Sequence, residues 1–150
     1  MTMRRIVPFF LCCLVVAGQA RAAAPKGRYE AGVRSIEDRR SRLVWARSPA
    51  PSLLTYTGAE AYCLALVSDG GGWRMPTLME LQTLVDVRAH DPAVDPAFDE
   101  VPVDASYWSS TGASPAGTYW TLSFVDGSMS SPYASSMLRV RCVKPSRQSP

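Results

Sequence analysis

The chain has one histidine among its 150 residues, which withholds the commonest general base and metal ligand from nearly every candidate site. That residue, His90, stands in a proline-rich loop. No serine carries the flanking glycines of a nucleophile elbow, so a Ser-His-Asp catalyst has no support. Cysteine is also scarce, at four residues. Neither Cys63 nor Cys142 has a C-x-x-C neighbour or a nearby histidine, which argues against a redox or metal role. A long apolar run is missing too: a membrane anchor needs roughly 20 such residues, and the only candidate, Ile6 to Val16, is about half that. Basic residues become few beyond Arg47, which, in an exported chain, argues against nucleic acid as a partner. No internal repeat is present.

Export is read from the first residues. Arg4 and Arg5 precede the apolar run, and small residues follow around Ala20 to Ala24, the layout of a signal peptide cleaved after Ala22 or Ala24. Met3 and Ile6 do not complete a twin-arginine pattern, so ordinary secretion is expected. Cys12 and Cys13 leave with the signal. So do Arg4, Arg5 and Arg21, which account for the formal net charge of +3. The resulting division is a signal peptide at 1–22, an exposed basic arm at 23–32, one domain at 33–144 and a disordered tail at 145–150. Lys26, Arg28, Arg34, Arg39, Arg40, Arg42 and Arg47 crowd the early stretch, either as a solvated face, the favoured reading, or as a patch for anionic glycans or lipid headgroups.

The mature chain, about 125 residues, is long enough for one core and too short for a second domain. Val33 to Asp38 and Leu43 to Trp45 read as a hairpin around Arg39-Arg40-Ser41. Thr57 and Glu60 form a capping box that opens a helix to about Val67, with Ala59, Tyr62, Cys63 and Leu66 on its inner face. Gly70-Gly71-Gly72 ends it. Pro76 then leads into a second capping box, Thr77 with Glu80, and a helix carrying Leu78, Leu81, Leu84 and Val85 that ends near Asp86. His90 to Asp104, broken by Pro92, Pro96 and Pro102, reads as a loop. Tyr107 to Ser109 and Tyr119 to Val125 read as strands, with Asp126-Gly127 as a hairpin turn. Leu138 to Val143 closes the chain, with Leu138, Val140 and Cys142 facing in and Arg139 and Arg141 facing out.

Cys63 and Cys142 are the cysteines that remain after processing, and an exported domain pairs them as a disulfide. Closing a loop of about 80 residues contributes roughly 4 to 5 kcal/mol on chain-entropy grounds, comparable to the net stability of a small domain.

Tyr62-Cys63, the run Gly71 to Thr77 followed by Glu80-Leu81, Tyr107 to Thr111, Phe124 with Asp126-Gly127, and Val140 to Val143 together resemble the Lcl C-terminal domain family (domain of unknown function 1566). The resemblance spans about Val33 to Lys144. It implies a bacterial exported domain, similar to C-type-lectin-like and sulfatase-modifying-factor folds, with an α+β architecture of two short helices on small antiparallel sheets. The chain departs from the family at Arg39 to Arg42, where a Thr-Gly turn is frequent. The reactive cysteines of the sulfatase-modifying relatives are not carried over, since Cys63 and Cys142 are committed to a bridge.

The family motifs Trp73, Arg74, Pro76, Thr77 and Glu80 are expected to be structural, orienting the junction between helices. The expected binding set is Tyr107, Trp108, Ser109, Ser110, Tyr119, Trp120, Asp126 and Tyr133. There, ring faces flanked by hydroxyls suit a sugar, although core packing of the same aromatics competes with that reading. Asp91, Asp95 and Asp99 carry the oxygen chemistry calcium prefers, but they lack EF-hand spacing and a lectin-type Glu-Pro-Asn string is absent, so they read as solvated acids and no metal or cofactor is expected. The expectation is a non-enzymatic periplasmic or extracellular recognition domain for a surface glycan or an envelope protein, without a transmembrane anchor after cleavage. The contrasting class is a structural or assembly component of the envelope. The oligomeric state is left open.

Overall fold

The computed structural model describes residues 25, 27–98, 101–102 and 106–147. The expected signal peptide, Cys12, Cys13, Asp99 and residues 148–150 lie outside the described residues. One antiparallel sheet holds β1 (Tyr29–Ala31), β2 (Ser35–Asp38), β3 (Leu43–Ala46) and, from the far end of the chain, β7 (Val143–Pro145), in the order β1-β2-β3-β7. A second sheet holds β4 (Ser106–Gly112), β5 (Tyr119–Ser123) and β6 (Met129–Ser130) in sequence order. Two helices, α1 (Tyr56–Ala65) and α2 (Leu78–Gln82), make the fold α+β. Cys63 and Cys142 are bonded.

The first hairpin forms as expected, with Ile36 opposite Trp45. Its turn is organised by Asp38, whose Oδ1 accepts from the Arg40 N–H at 3.0 Å and whose two oxygens accept from Arg28 at 3.1 and 2.8 Å. Burial pushes the Asp38 carboxyl up, but bonds from Arg28, Ser41 and Arg40 outweigh it and hold the group below its ordinary range. This contact corrects the extent of the basic arm. Arg28 is tied to Asp38, and Tyr29–Ala31 pair with β2 because Tyr29 packs edge-on against Phe98 at 5.1 Å. The tail is likewise shorter than expected: Pro145 ends β7, and the Ser146 N–H bonds to Arg42 O.

Helix α1 begins two residues before the Thr57 box. Thr55 is the cap, its Oγ1 accepting from the Gly58 N–H at 3.3 Å. This start places Tyr56, Ala59 and Cys63 on one buried face, at i, i+3 and i+7, whereas a start at Thr57 would forfeit Tyr56. Helix α2 has the expected capping box from Thr77 and Glu80. It stops at Gln82, short of Asp86, where Thr83 Oγ1 donates to Glu80 O and Val85 turns to bridge Val94. Leu84 still enters the core, but from a turn.

The core has two lobes. One gathers Ile36, Trp45, Leu81, Tyr107, Leu122 and Phe124; the other gathers Tyr56, Cys63, Trp73, Trp108, Val140 and Cys142. The β4–β5 sheet lies between them, so consecutive residues Tyr107 and Trp108, and again Thr121 and Leu122, are fully buried on opposite faces. A sheet covered on both sides in this way does not alternate buried with exposed residues.

The expected closing strand is an extended segment bonded on both sides. Leu138, Val140 and Cys142 carbonyls accept from Leu54, Ala50 and Ala46, while Arg139 exchanges bonds with Trp108 and Ser106. Arg141 is buried, contrary to its expected outward placement. Its guanidinium donates to the Ala46 and Arg47 carbonyls and lies 5.3 Å from the Phe98 ring centre, so the charge is held by backbone oxygens and an aromatic face.

Candidate functional site

Strand pairing decides which of the expected site residues can meet a ligand. Tyr107, Trp108 and Ser109 are buried, a correction to their expected binding role. Tyr107 packs on Phe124 at 5.0 Å, Trp108 sits edge-on to Tyr56 and donates its indole N–H to Leu54 O at 2.8 Å, and Ser109 Oγ donates to Trp120 O at 2.6 Å. These residues hold the sheet between its two lobes. Tyr119 lies on the second lobe, stacked on Tyr56 with ring centres 3.4 Å apart. Asp126 is exposed but serves the β5–β6 turn, its Oδ1 accepting from the Ser128 N–H at 2.9 Å. Bonds from Ser128 hold its carboxyl below the ordinary range.

Trp120 behaves differently. Trp45, Trp73 and Trp108 all belong to the core lobes, whereas Trp120 joins neither and remains partly exposed. Thr118 pairs with Tyr133 and Thr121 with Ser130, so Trp120 falls opposite Ser131. Paired residues and those two positions along share a face. Thr118, Trp120, Ser131, Tyr133 and, opposite Leu122, Met129 thus line one side of the sheet. Tyr133 is 63% exposed. Gln82 of α2 borders this face, its Nε2 lying 3.1 Å from Met129 Sδ, and Ser110 is exposed on β4, its N–H bonded to Pro76 O. The structure thus keeps Trp120, Tyr133 and Ser110 at the surface. Ser131 was missed in the sequence: a two-residue turn at Asp126-Gly127 would set it opposite Leu122, whereas the longer loop between Ser123 and Ser128 sets it opposite Trp120.

The motif residues from Trp73 to Glu80 form a bonded corner that leads into α2. Trp73 donates its indole N–H to Ser68 O at 2.7 Å, and Lys144 Nζ lies 4.4 Å from its ring centre while bonding to Asp69 O and Gly71 O. Burial lowers the Lys144 pKa. Pro76 is buried at the approach to α2, and Arg74 pairs with Glu80. A cleft of about 480 Å³ adjoins this corner, between the Asp69–Gly72 turn and Glu37, Val44 and Lys144 of the first sheet. Its lysine is already committed to the turn carbonyls.

The acidic loop residues are dispersed in their roles. Asp91 lies 3.2 Å from His90 Nδ1, and Asp95 Oδ1 accepts from the Ala97 N–H at 2.8 Å. Among the described residues, no group of three or more His, Cys, Asp or Glu side chains is placed to hold a metal ion, and no helix is long and apolar enough to cross a membrane.

Fold and face together define a disulfide-closed α+β domain that presents a small aromatic and hydroxyl surface on one sheet. The Lcl C-terminal domain model matches residues 34–144, and the chain belongs to that family. No curated protein matches the chain.

Proposed function

We propose that the chain is an exported bacterial recognition domain, without catalytic activity, that binds a surface glycan on the face carrying Trp120 and Tyr133. One observation carries the reading: Trp120 is the tryptophan that packs into neither core lobe, and pairing sets the exposed Tyr133 on its side of the sheet. Flat rings stack on the C–H faces of sugars, and Ser131, paired with Trp120, supplies a hydroxyl for the polar edge. The bridge and the Trp73–Glu80 corner hold the platform rigid, which lowers the cost of binding.

The test is a glycan array probed with wild type, Trp120→Ala and Tyr133→Ala. Wild type binds a defined glycan set, and both variants lose that binding with the melting temperature nearly unchanged. A wild-type protein that binds no glycan sinks the reading.

A further inference from the structure

Proteins blunt exposed sheet edges with charge, proline or a covering element, because unpaired peptide groups recruit further strands. Strand β6 is the outer strand of its sheet. The Tyr119 N–H bonds to Pro132 O and the Ser123 N–H to Ser128 O, so the even-numbered residues of this segment face β5. The peptide groups of Met129 and Ser131 therefore point away from the sheet. Pro132 does not blunt that side, since its missing N–H belongs to the side facing β5. From Gly127 to Leu138 the sequence has no charged residue, and Met129, Tyr133 and Met137 are 49%, 63% and 53% exposed.

We propose that β6 pairs with β6 of a second copy of this chain, in an antiparallel arrangement about a two-fold axis at Ser130. In this register the outward peptide groups of Met129 meet those of Ser131 in the second copy, and the reverse, so both residues' free N–H and C=O groups are satisfied by one symmetric contact. A second copy fits for two reasons read from the edge itself. The spacing of its free groups is self-complementary about Ser130, and the uncharged segment brings no like charges together when it meets its own image. Each Met129 side chain then lies beside a small Ser131 side chain on the Trp120 face. The inference stands apart from glycan binding, because it rests on backbone pairing.

Sedimentation velocity over a concentration series tests it on the processed protein. Wild type forms a dimer. Ser131→Pro removes an outward N–H without removing a bond to β5, and Met129→Lys places a charge on the edge; each weakens the dimer by at least roughly tenfold while retaining the native circular dichroism spectrum. A wild-type chain that stays monomeric to its solubility limit, or a dimer that survives both variants, overturns the proposal. The glycan array reports separately on Trp120, so failure of either idea is recognisable without the other.

Discussion

Arg74 grips both carboxylate oxygens of Glu80, at 2.8 and 2.6 Å, while the same carboxylate accepts from the Thr77 N–H at 2.8 Å and so closes the cap of α2. One acid thus joins the glycine-turn corner to the helix beneath β4.

This double duty gives a pH signature. Burial pushes the Glu80 carboxyl up, but Arg74 and Thr77 outweigh it and hold the group below its ordinary value of 4.5. A depressed folded pKa contributes stability that is present above the unfolded value and lost as pH falls through the folded one. Glu80→Gln is therefore expected to cost about 1 kcal/mol at neutral pH, a modest figure because Arg74 is partly exposed. The deficit shrinks under acid conditions. Urea unfolding of both proteins across the acid range checks it, and a deficit constant with pH contradicts the assignment.

The bridge between Cys63 and Cys142 spans a separation of 79 residues. Reduction is expected to cost roughly 4 kcal/mol, most of it through the gain in unfolded-chain entropy. Urea midpoints measured with and without reductant read the difference directly. Thiol titration of the denatured, unreduced chain from Pro25 onward, which leaves out Cys12 and Cys13, should find no free thiol, and two would contradict the bridge.

Much of this architecture was legible in the sequence, and the exceptions share a cause. The Thr77–Glu80 box, the first hairpin, the Cys63–Cys142 pair and the α+β class follow from local chemistry and the resemblance. Tyr107, Trp108 and Arg141 could not be placed that way. Alternation assumes one wet face, while β4 is covered on both sides and the segment before β7 runs between bonded neighbours. Likewise Thr55 and Thr57 both look like caps, and only the tertiary burial of Tyr56 selects Thr55. Of the candidate site, the aromatic composition was legible, but which rings reach solvent was fixed by the pairing of β4, β5 and β6.

Two tryptophans on neighbouring strands should therefore respond in opposite ways. Trp108→Ala empties a fully buried site and removes one of the bonds to Leu54 O, which keeps the one from the Leu138 N–H, at an expected cost of about 3 to 5 kcal/mol. Trp120→Ala removes a ring outside both lobes and should cost about 1 kcal/mol or less. Thermal and urea unfolding of the two variants checks the contrast. Equal losses would mean that Trp120 is a core residue and would remove the support for its role as a platform.

The turn after β5 offers a test of packing between distant segments. Gly127 has φ of 80°, and a β-carbon there would stand 2.9 Å from Val85 Cγ1. Gly127→Ala therefore incurs two penalties, about 1 to 2 kcal/mol for a left-handed backbone and a further steric term against Val85. Only the second can be relieved from the other side. Val85→Ala is itself destabilising, because Val85 packs against the first lobe, but in the Gly127→Ala background its cost should fall by roughly 0.5 kcal/mol or more. A double-mutant cycle by urea unfolding isolates that coupling. A coupling of zero would mean that the β5–β6 turn shifts freely away from Val85, and the whole cost of Gly127→Ala would then belong to the backbone.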